Sequence, residues 1–267
     1  MLRLQRGEPA TLLDPAPFER RKSVLRKCWL FMLLLGATGV KAEVFVTDRE
    51  AFFSRCSAVP NYEMVPKSDA VTSKGKTRLS ASMRAGLSRL LDVWEKHGDD
   101  DPRRLAYVLA TARRESMSTF SPIREAPKCH ADETCRERVI GQLLAERAQR
   151  AGTAPRANYA LPYENGQRYY GRGFIQLTHY DGYRQASRKL RRDLIRHPDL
   201  ALEPSVAGEV LVRGMLEGWF GDRQPLSFYI DGQRADWINA RNNVNPRSPN
   251  KPVTAAYAQD FLKCLAK

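Results

Sequence analysis

Residues 105–116 read LAYVLATARRES, and residues 169–178 read YYGRGFIQLT. The first stretch decides the fold class. Leu105, Val108, Leu109 and Ala112 recur at helical spacing. Asp101 and Pro102 stand just before them as an N-cap and a first-turn proline. Glu115 closes the run, about 20° from Val108 and about 80° from Leu105 on the helix wheel. A carboxyl at that edge of an apolar stripe is partly desolvated, which favours its proton-bearing form. Arg114 lies about 100° away on the same wheel and need not suppress this. In the second stretch, Gly171 and Gly173 flank Arg172 and allow close backbone approach. The alternation from Phe174 to Thr178 predicts an extended segment with Gln176 and Thr178 on one face. Such a row of amide and hydroxyl groups suits a groove that holds a sugar chain.

Outward from these segments the chain is helical in pattern. Ser80 is an expected N-cap for a helix carrying Met83, Leu87, Leu90, Leu91 and Trp94, ended by Gly98. Further helices are expected over 133–150, near 181–190, over 204–220 and over 254–266, with a short one ending before Pro198. Val139, Ile140, Leu143, Leu144 and Ala148 face inward on the first of these. Residues 151–168 are polar and turn-rich, and 43–77 read as an irregular extension. There is no repeat and no low-complexity tract. The pattern predicts a mainly α protein with minimal strand content.

Residues 1–42 have the pattern of a cleaved signal peptide, with a basic cluster at 20–27, an apolar run at 28–40 and cleavage expected after Ala42. About 13 apolar residues are too few to span a bilayer comfortably, so no stable membrane anchor is expected. Cleavage would remove eight Lys/Arg and three Asp/Glu, lowering the net charge from +14 to +9. The basic residues are dispersed among carboxylates and no nucleic-acid module is present, so no nucleic-acid partner is expected; a basic exported chain suits an anionic polymer. A monomer is expected.

Four cysteines remain after residue 42, an even number that favours two disulfides in an exported chain. Three pairings are possible. The favoured one joins Cys129 to Cys135 and Cys56 to Cys264, ahead of a zinc site at Cys129, His130 and Cys135 that lacks a fourth ligand. The four histidines have no metal spacing and no glycine loop cradles phosphate, so no cofactor or metal is expected.

Glycoside hydrolysis needs a proton donor and a carboxylate that activates water or attacks carbon. Glu115 is the candidate donor. Glu125, in the loop after Pro122, is the candidate second carboxylate, with Asp132 and Glu133 in reserve.

The motif order LAYVLATARRES, PIREA (122–126), YYGRGFIQLT, HPDLAL (197–202), VRGMLEGWF (212–220) and WINARNNVN (237–245) resembles glycoside hydrolase family 19. The likeness is to its bacterial and phage cell-wall lysins and spans roughly residue 78 to the C-terminus. It implies a two-lobed lysozyme-like fold with a substrate cleft between lobes, and inverting cleavage of β-1,4 links in an N-acetylhexosamine polymer. Peptidoglycan is the expected polymer and chitin the alternative. The resemblance implies that Glu115 is the acid, that Gln176 and Thr178 hold sugar and attacking water, that Asn245 lies near the cleft and that Arg241 lies against a catalytic carboxylate. Arg172 and Tyr170 join the substrate-binding candidates, Arg172 with a structural ion-pairing role and Tyr170 as a sugar platform or core residue. Two departures, Arg114 for a family His and Gly182 for a family Asn, leave open a catalytically weak wall-binding protein on the same scaffold.

Overall fold

The structure, a computed structural model, describes residues 48–58, 72–73, 76–77 and 79–266. The expected signal peptide and its cleavage point lie outside the described residues. The fold is mainly α, as expected. Helix α1 (Arg49–Ala58) precedes a two-residue strand pair, β1 (Thr72–Ser73) with β2 (Lys76–Thr77). It corrects the reading of 43–77 as irregular: Phe52, Phe53 and Cys56 form a short apolar face that is fully buried. Cys56 is bonded to Cys264, and Arg55 Nε donates to the Cys264 carbonyl at 2.7 Å.

Helix α2 (Ala81–His97) begins as its sequence dictates, with Ser80 Oγ accepting from the Met83 amide, and buries Met83, Leu87, Leu90, Leu91 and Trp94. Helix α3 (Pro102–Glu115) follows, capped by Asp101 Oδ1 on the Arg103 amide at 2.9 Å. Every residue of α3 from Leu105 to Arg113 is buried, because α2, α6 (Pro204–Leu216) and α7 (Lys251–Leu265) enclose it. Burying each large aliphatic side chain here contributes about 1.5–3 kcal/mol. The last residue of this encased rod is Glu115.

A second, smaller cluster consists of Ile140, Leu144, Ala160 and Tyr170, with Tyr159 packed on it. It gathers around α4 (Glu133–Ala151), which Asp132 caps through the Cys135 amide and which the Cys129–Cys135 disulfide ties to the preceding loop. An antiparallel pair joins β3 (Ile123–Arg124) to β4 (Arg172–Gly173), in the register Ile123 to Gly173 and Arg124 to Arg172. Helix α5 (His179–Leu190) follows β4 in the chain, and a last two-residue pair, β5 (Ile230–Asp231) with β6 (Arg234–Ala235), precedes α7.

Two local expectations are corrected. Residues 174–178 are not extended: Leu177 folds back to exchange both backbone hydrogen bonds with Arg172, and Gln176 takes φ 53° in the resulting turn. The short helix expected to end before Pro198 instead begins there, as a 3₁₀ turn over Pro198–Leu202, where proline suits a first helical position. No helix among the described residues is long and apolar enough to cross a membrane.

Candidate active site

After Glu115 the chain must leave the buried helix within a few residues. Met117, Ser118 and Phe120 all adopt positive φ, between 51° and 63°. Each such residue costs of order 1–3 kcal/mol and persists only where its surroundings fix it. Here Ser116 Oγ accepts from the Phe120 amide at 2.9 Å, the Ser118 amide reaches the Arg113 carbonyl at 2.8 Å, and the buried Phe120 ring meets Phe261 edge-on. The turn delivers the chain into β3 and then to Glu125.

Glu115 is 19% exposed and ion-pairs through Oε1 with Arg241 Nη2. Arg241, itself 4% exposed, comes from the 3₁₀ turn Asn239–Asn243, 126 residues on. The carboxylate therefore sits against a guanidinium as well as at the edge of an apolar stripe.

Glu125 belongs to a different group. Its amide donates to the Gly171 carbonyl at 2.8 Å, continuing the β3–β4 ladder. Its carboxylate accepts two hydrogen bonds, from the Gly171 amide to Oε2 at 2.9 Å and from the Tyr159 hydroxyl to Oε1 at 2.8 Å. A Cβ at position 171 would lie 2.6 Å from Gln176 Oε1 and 3.0 Å from Glu125 Oε2, so any larger residue would displace these two side-chain ends. Gln176 Nε2 donates to the Ile123 carbonyl at 3.1 Å, and its Oε1, like Glu125 Oε2, lies near the Gly171 Cα. Burial and the adjacent Glu125 charge push the Tyr159 phenol well above its ordinary range, so it remains a donor. His179 packs edge-on against Tyr159 at 4.7 Å. Desolvation there and the charge of Arg156 hold the imidazole below its usual range, against the opposing pull of Glu125 and Asp181. Arg136, fully buried, fixes the loop by donating from Nε to the Glu125 carbonyl at 3.1 Å.

Other sequence candidates resolve into support. Tyr170 is fully buried, with the Arg172 guanidinium 3.7 Å from its ring centre and Arg136 also over the ring, so it presents no face to a sugar. This corrects its reading as a sugar platform. Arg172 is an ion-pairing residue: its Nε meets Asp199 Oδ1 at 2.7 Å, and its Nη1 reaches the Arg168 carbonyl and the Tyr183 hydroxyl. Arg124 binds the same Asp199 through both its Nη atoms, at 2.9 and 2.6 Å, so one carboxylate clasps β3 and β4 together. Asp132 is a helix cap. Glu133 is committed to Arg136 and the Tyr170 hydroxyl, both at 3.0 Å.

Thr178 Oγ1 donates to the Gln176 carbonyl at 2.5 Å. Both residues line a recess of about 490 Å³ with Gly182, Trp219, Phe220 and Arg223. Neither Glu115 nor Glu125 lines it. Asn245 is exposed, and its Oδ1 accepts from the Arg247 amide at 3.2 Å, shaping the turn after Arg241. The structure thus assembles Glu125, Gly171 and Gln176 in one group and Glu115 with Arg241 in another. No hydrogen bond or ion pair among the described residues joins the two groups. Sequence reasoning missed Tyr159, which stands 34 residues from Glu125 in a polar stretch without a motif.

Residues 129–227 match the family model for chitinase class I, glycoside hydrolase family 19. The matched segment covers 99 of the 267 residues. It contains Arg172, Gln176 and Thr178 but ends before Arg241, and both candidate carboxylates precede it. The chain is also similar to chitinase C from Streptomyces griseus HUT6037, with 18% sequence identity, a TM-score of 0.41, and coverage of 81% of this chain and 75% of that one.

Proposed function

We propose that the protein is an exported family 19 glycosidase that cleaves β-1,4 links of an N-acetylhexosamine polymer with inversion, and that peptidoglycan is its polymer. The carrying observation is the Glu125 carboxylate, which accepts from the Gly171 amide of the YYGRG turn beside Gln176. In this reading Glu115 gives its proton to the glycosidic oxygen as the bond to the anomeric carbon breaks. Glu125 takes a proton from the water that attacks the opposite face of that carbon, with Gln176 and Thr178 orienting the water. Arg241 then faces the Glu115 carboxylate left behind, and exchange with solvent returns the proton. Tyr159 and the Gly171 amide fix both oxygens of the base and preserve its direction of approach.

Export rests on the leader pattern of residues 1–42 and on two disulfides, which persist in oxidising compartments. Residues 78–267 would be the catalytic domain and 43–77 its extension. The mature charge of +9 favours an anionic wall over neutral chitin.

One observation favours a second reading, a wall-binding protein with weak catalysis. At Gly182, where the family has Asn, an added Cβ would meet only Leu177 Cδ1 at 3.5 Å, so the place of that contact is open.

The test incubates residues 43–267 with purified peptidoglycan and with chitin oligomers and identifies new chain ends by mass spectrometry. Reducing N-acetylmuramic ends of inverted configuration support the proposal, and cleavage of chitin alone moves the substrate to chitin. Binding without new ends on either polymer favours the second reading.

A further inference from the structure

Beside the recess that holds Gln176 and Thr178, along α5, lies an open groove of about 500 Å³ lined by Asp181, Arg184, Gln185, Arg188, Lys189 and Arg223. Asp181, Gln185 and Arg223 line both spaces. Four of the six groove residues are cationic and one is anionic. Arg184 is paired with Asp181 at 2.9 Å and Lys189 with Glu217 at 3.0 Å. Arg223 is different. Its Nη1 is fixed by two neutral acceptors, Gln185 Oε1 at 2.7 Å and the Trp219 carbonyl at 3.0 Å. Those contacts orient the guanidinium without neutralising it, and the neighbouring Asp222 is engaged with the Tyr229 hydroxyl and the Gln224 amide. Arg223 also takes φ 65°, a conformation that an L side chain adopts only when its surroundings hold it. Arg188 is exposed one turn along α5 from Arg184, on the same wall.

We infer that Arg223 and Arg188 form a subsite for a carboxylate carried on a branch of the polysaccharide, a peptide substituent that leaves the glycan recess over Gly182. A fixed guanidinium matches carboxylate geometry and binds it through charge-assisted hydrogen bonds. The groove shares three lining residues with the recess that holds Gln176 and Thr178, so a polymer lying in that recess can place an anionic substituent in the groove. Gly182 keeps the passage low. The inference rests on the proposed glycan-cleaving reading, and it supplies the reason for a preference between an acidic, peptide-bearing glycan and a neutral one.

The experiment measures binding by calorimetric titration, at low salt, to soluble peptide-bearing glycan strands released from peptidoglycan by an endopeptidase and to the same strands stripped of their peptides by an amidase. Wild-type protein is expected to bind the peptide-bearing form about tenfold more tightly, a preference lost as rising salt screens the exposed charges. The double variant Arg188→Gln with Arg223→Asn is expected to reduce that ratio about five- to tenfold; asparagine tolerates the positive φ at 223. The single variant Arg188→Gln, on an exposed helix face, serves as a second probe with a smaller reduction. Equal binding of both materials by the wild type, or an unchanged ratio in folded variants, overturns the subsite. Release of new chain ends is scored separately. Its absence with the binding preference intact rejects the hydrolase reading and leaves the subsite standing.

Discussion

Glu115 and Glu125 are ten residues apart in the chain, yet different physics holds each of them. Glu115 ends a helix whose preceding turns are buried on all sides, so its place follows from apolar packing, and one guanidinium completes it. Glu125 directly follows a two-residue strand, beside a core of a few side chains. Its place follows from polar contacts: Gly171, Tyr159 and Arg136 touch it, while Asp199 clasps Arg124 and Arg172 behind it. Apolar packing loses stability in increments as atoms are removed. A polar network leaves charges or donors unpaired when one member goes, so each loss is felt by the rest.

The largest expected break comes at Glu115, the proposed acid. Glu115→Gln should lower reducing-end release about 100- to 10,000-fold per folded molecule, and it should also cost about 1–3 kcal/mol of stability because buried Arg241 loses its charge partner. Turnover like that of wild type would remove Glu115 from its role. Next, Leu109→Ala, deep in α3, should cost about 2–5 kcal/mol in a denaturant titration while the folded fraction keeps its turnover. If turnover instead collapses in the folded fraction, apolar packing does not act in increments around Glu115.

In the polar region, Asp199→Asn leaves buried Arg172 without its carboxylate. Asp199 is 57% exposed, so solvent discounts the effect to about 1–2 kcal/mol. Burial pushes the Asp199 carboxyl up, but hydrogen bonding from Arg124 and the charges of Arg172 and Arg124 outweigh this and hold it below its ordinary range. Its stabilising contribution is therefore complete above the unfolded carboxyl value and lost as pH falls through the lower folded value. The gap between wild type and Asp199→Asn in unfolding experiments should narrow from pH 7 to pH 3. A gap independent of pH would argue against an ionic clasp.

The smallest effect is expected from Tyr159→Phe, which removes one hydrogen bond to Glu125, the proposed base. Turnover should fall about five- to tenfold, consistent with about 1 kcal/mol, and the acid limb of its pH profile should shift while unfolding barely changes. An unmoved pH profile would make Tyr159 a packing residue only.

The same contrast governs what the sequence disclosed. Ser80, Asp101 and Pro102 act within one turn of themselves, and the α3 stripe repeats over three turns, so both helices were legible from local rules. Helix α1 was not, because Phe52, Phe53 and Cys56 gain their meaning only against α7 and the core. The reading of 174–178 as extended failed because alternation of residue types is compatible with a tight turn once Gln176 accepts positive φ. Arg241 was assigned to a carboxylate only through family resemblance, since nothing local connects it with a residue 126 positions earlier. Tyr159 had no such aid, and the two-residue ladder that brings its partner near carries no periodic pattern.

The bond between Cys56 and Cys264 joins residues 208 positions apart. In chain-entropy terms, closing so long a loop disfavours the unfolded ensemble by about 5 kcal/mol. It also makes nearly the whole described chain a covalent circuit. The stretches 151–157 and 161–166 are exposed and lie inside that circuit. A protease that cuts there opens the ring without freeing either half, so Glu115 and Arg172 stay on one molecule. Separating them takes a cut and a reductant together.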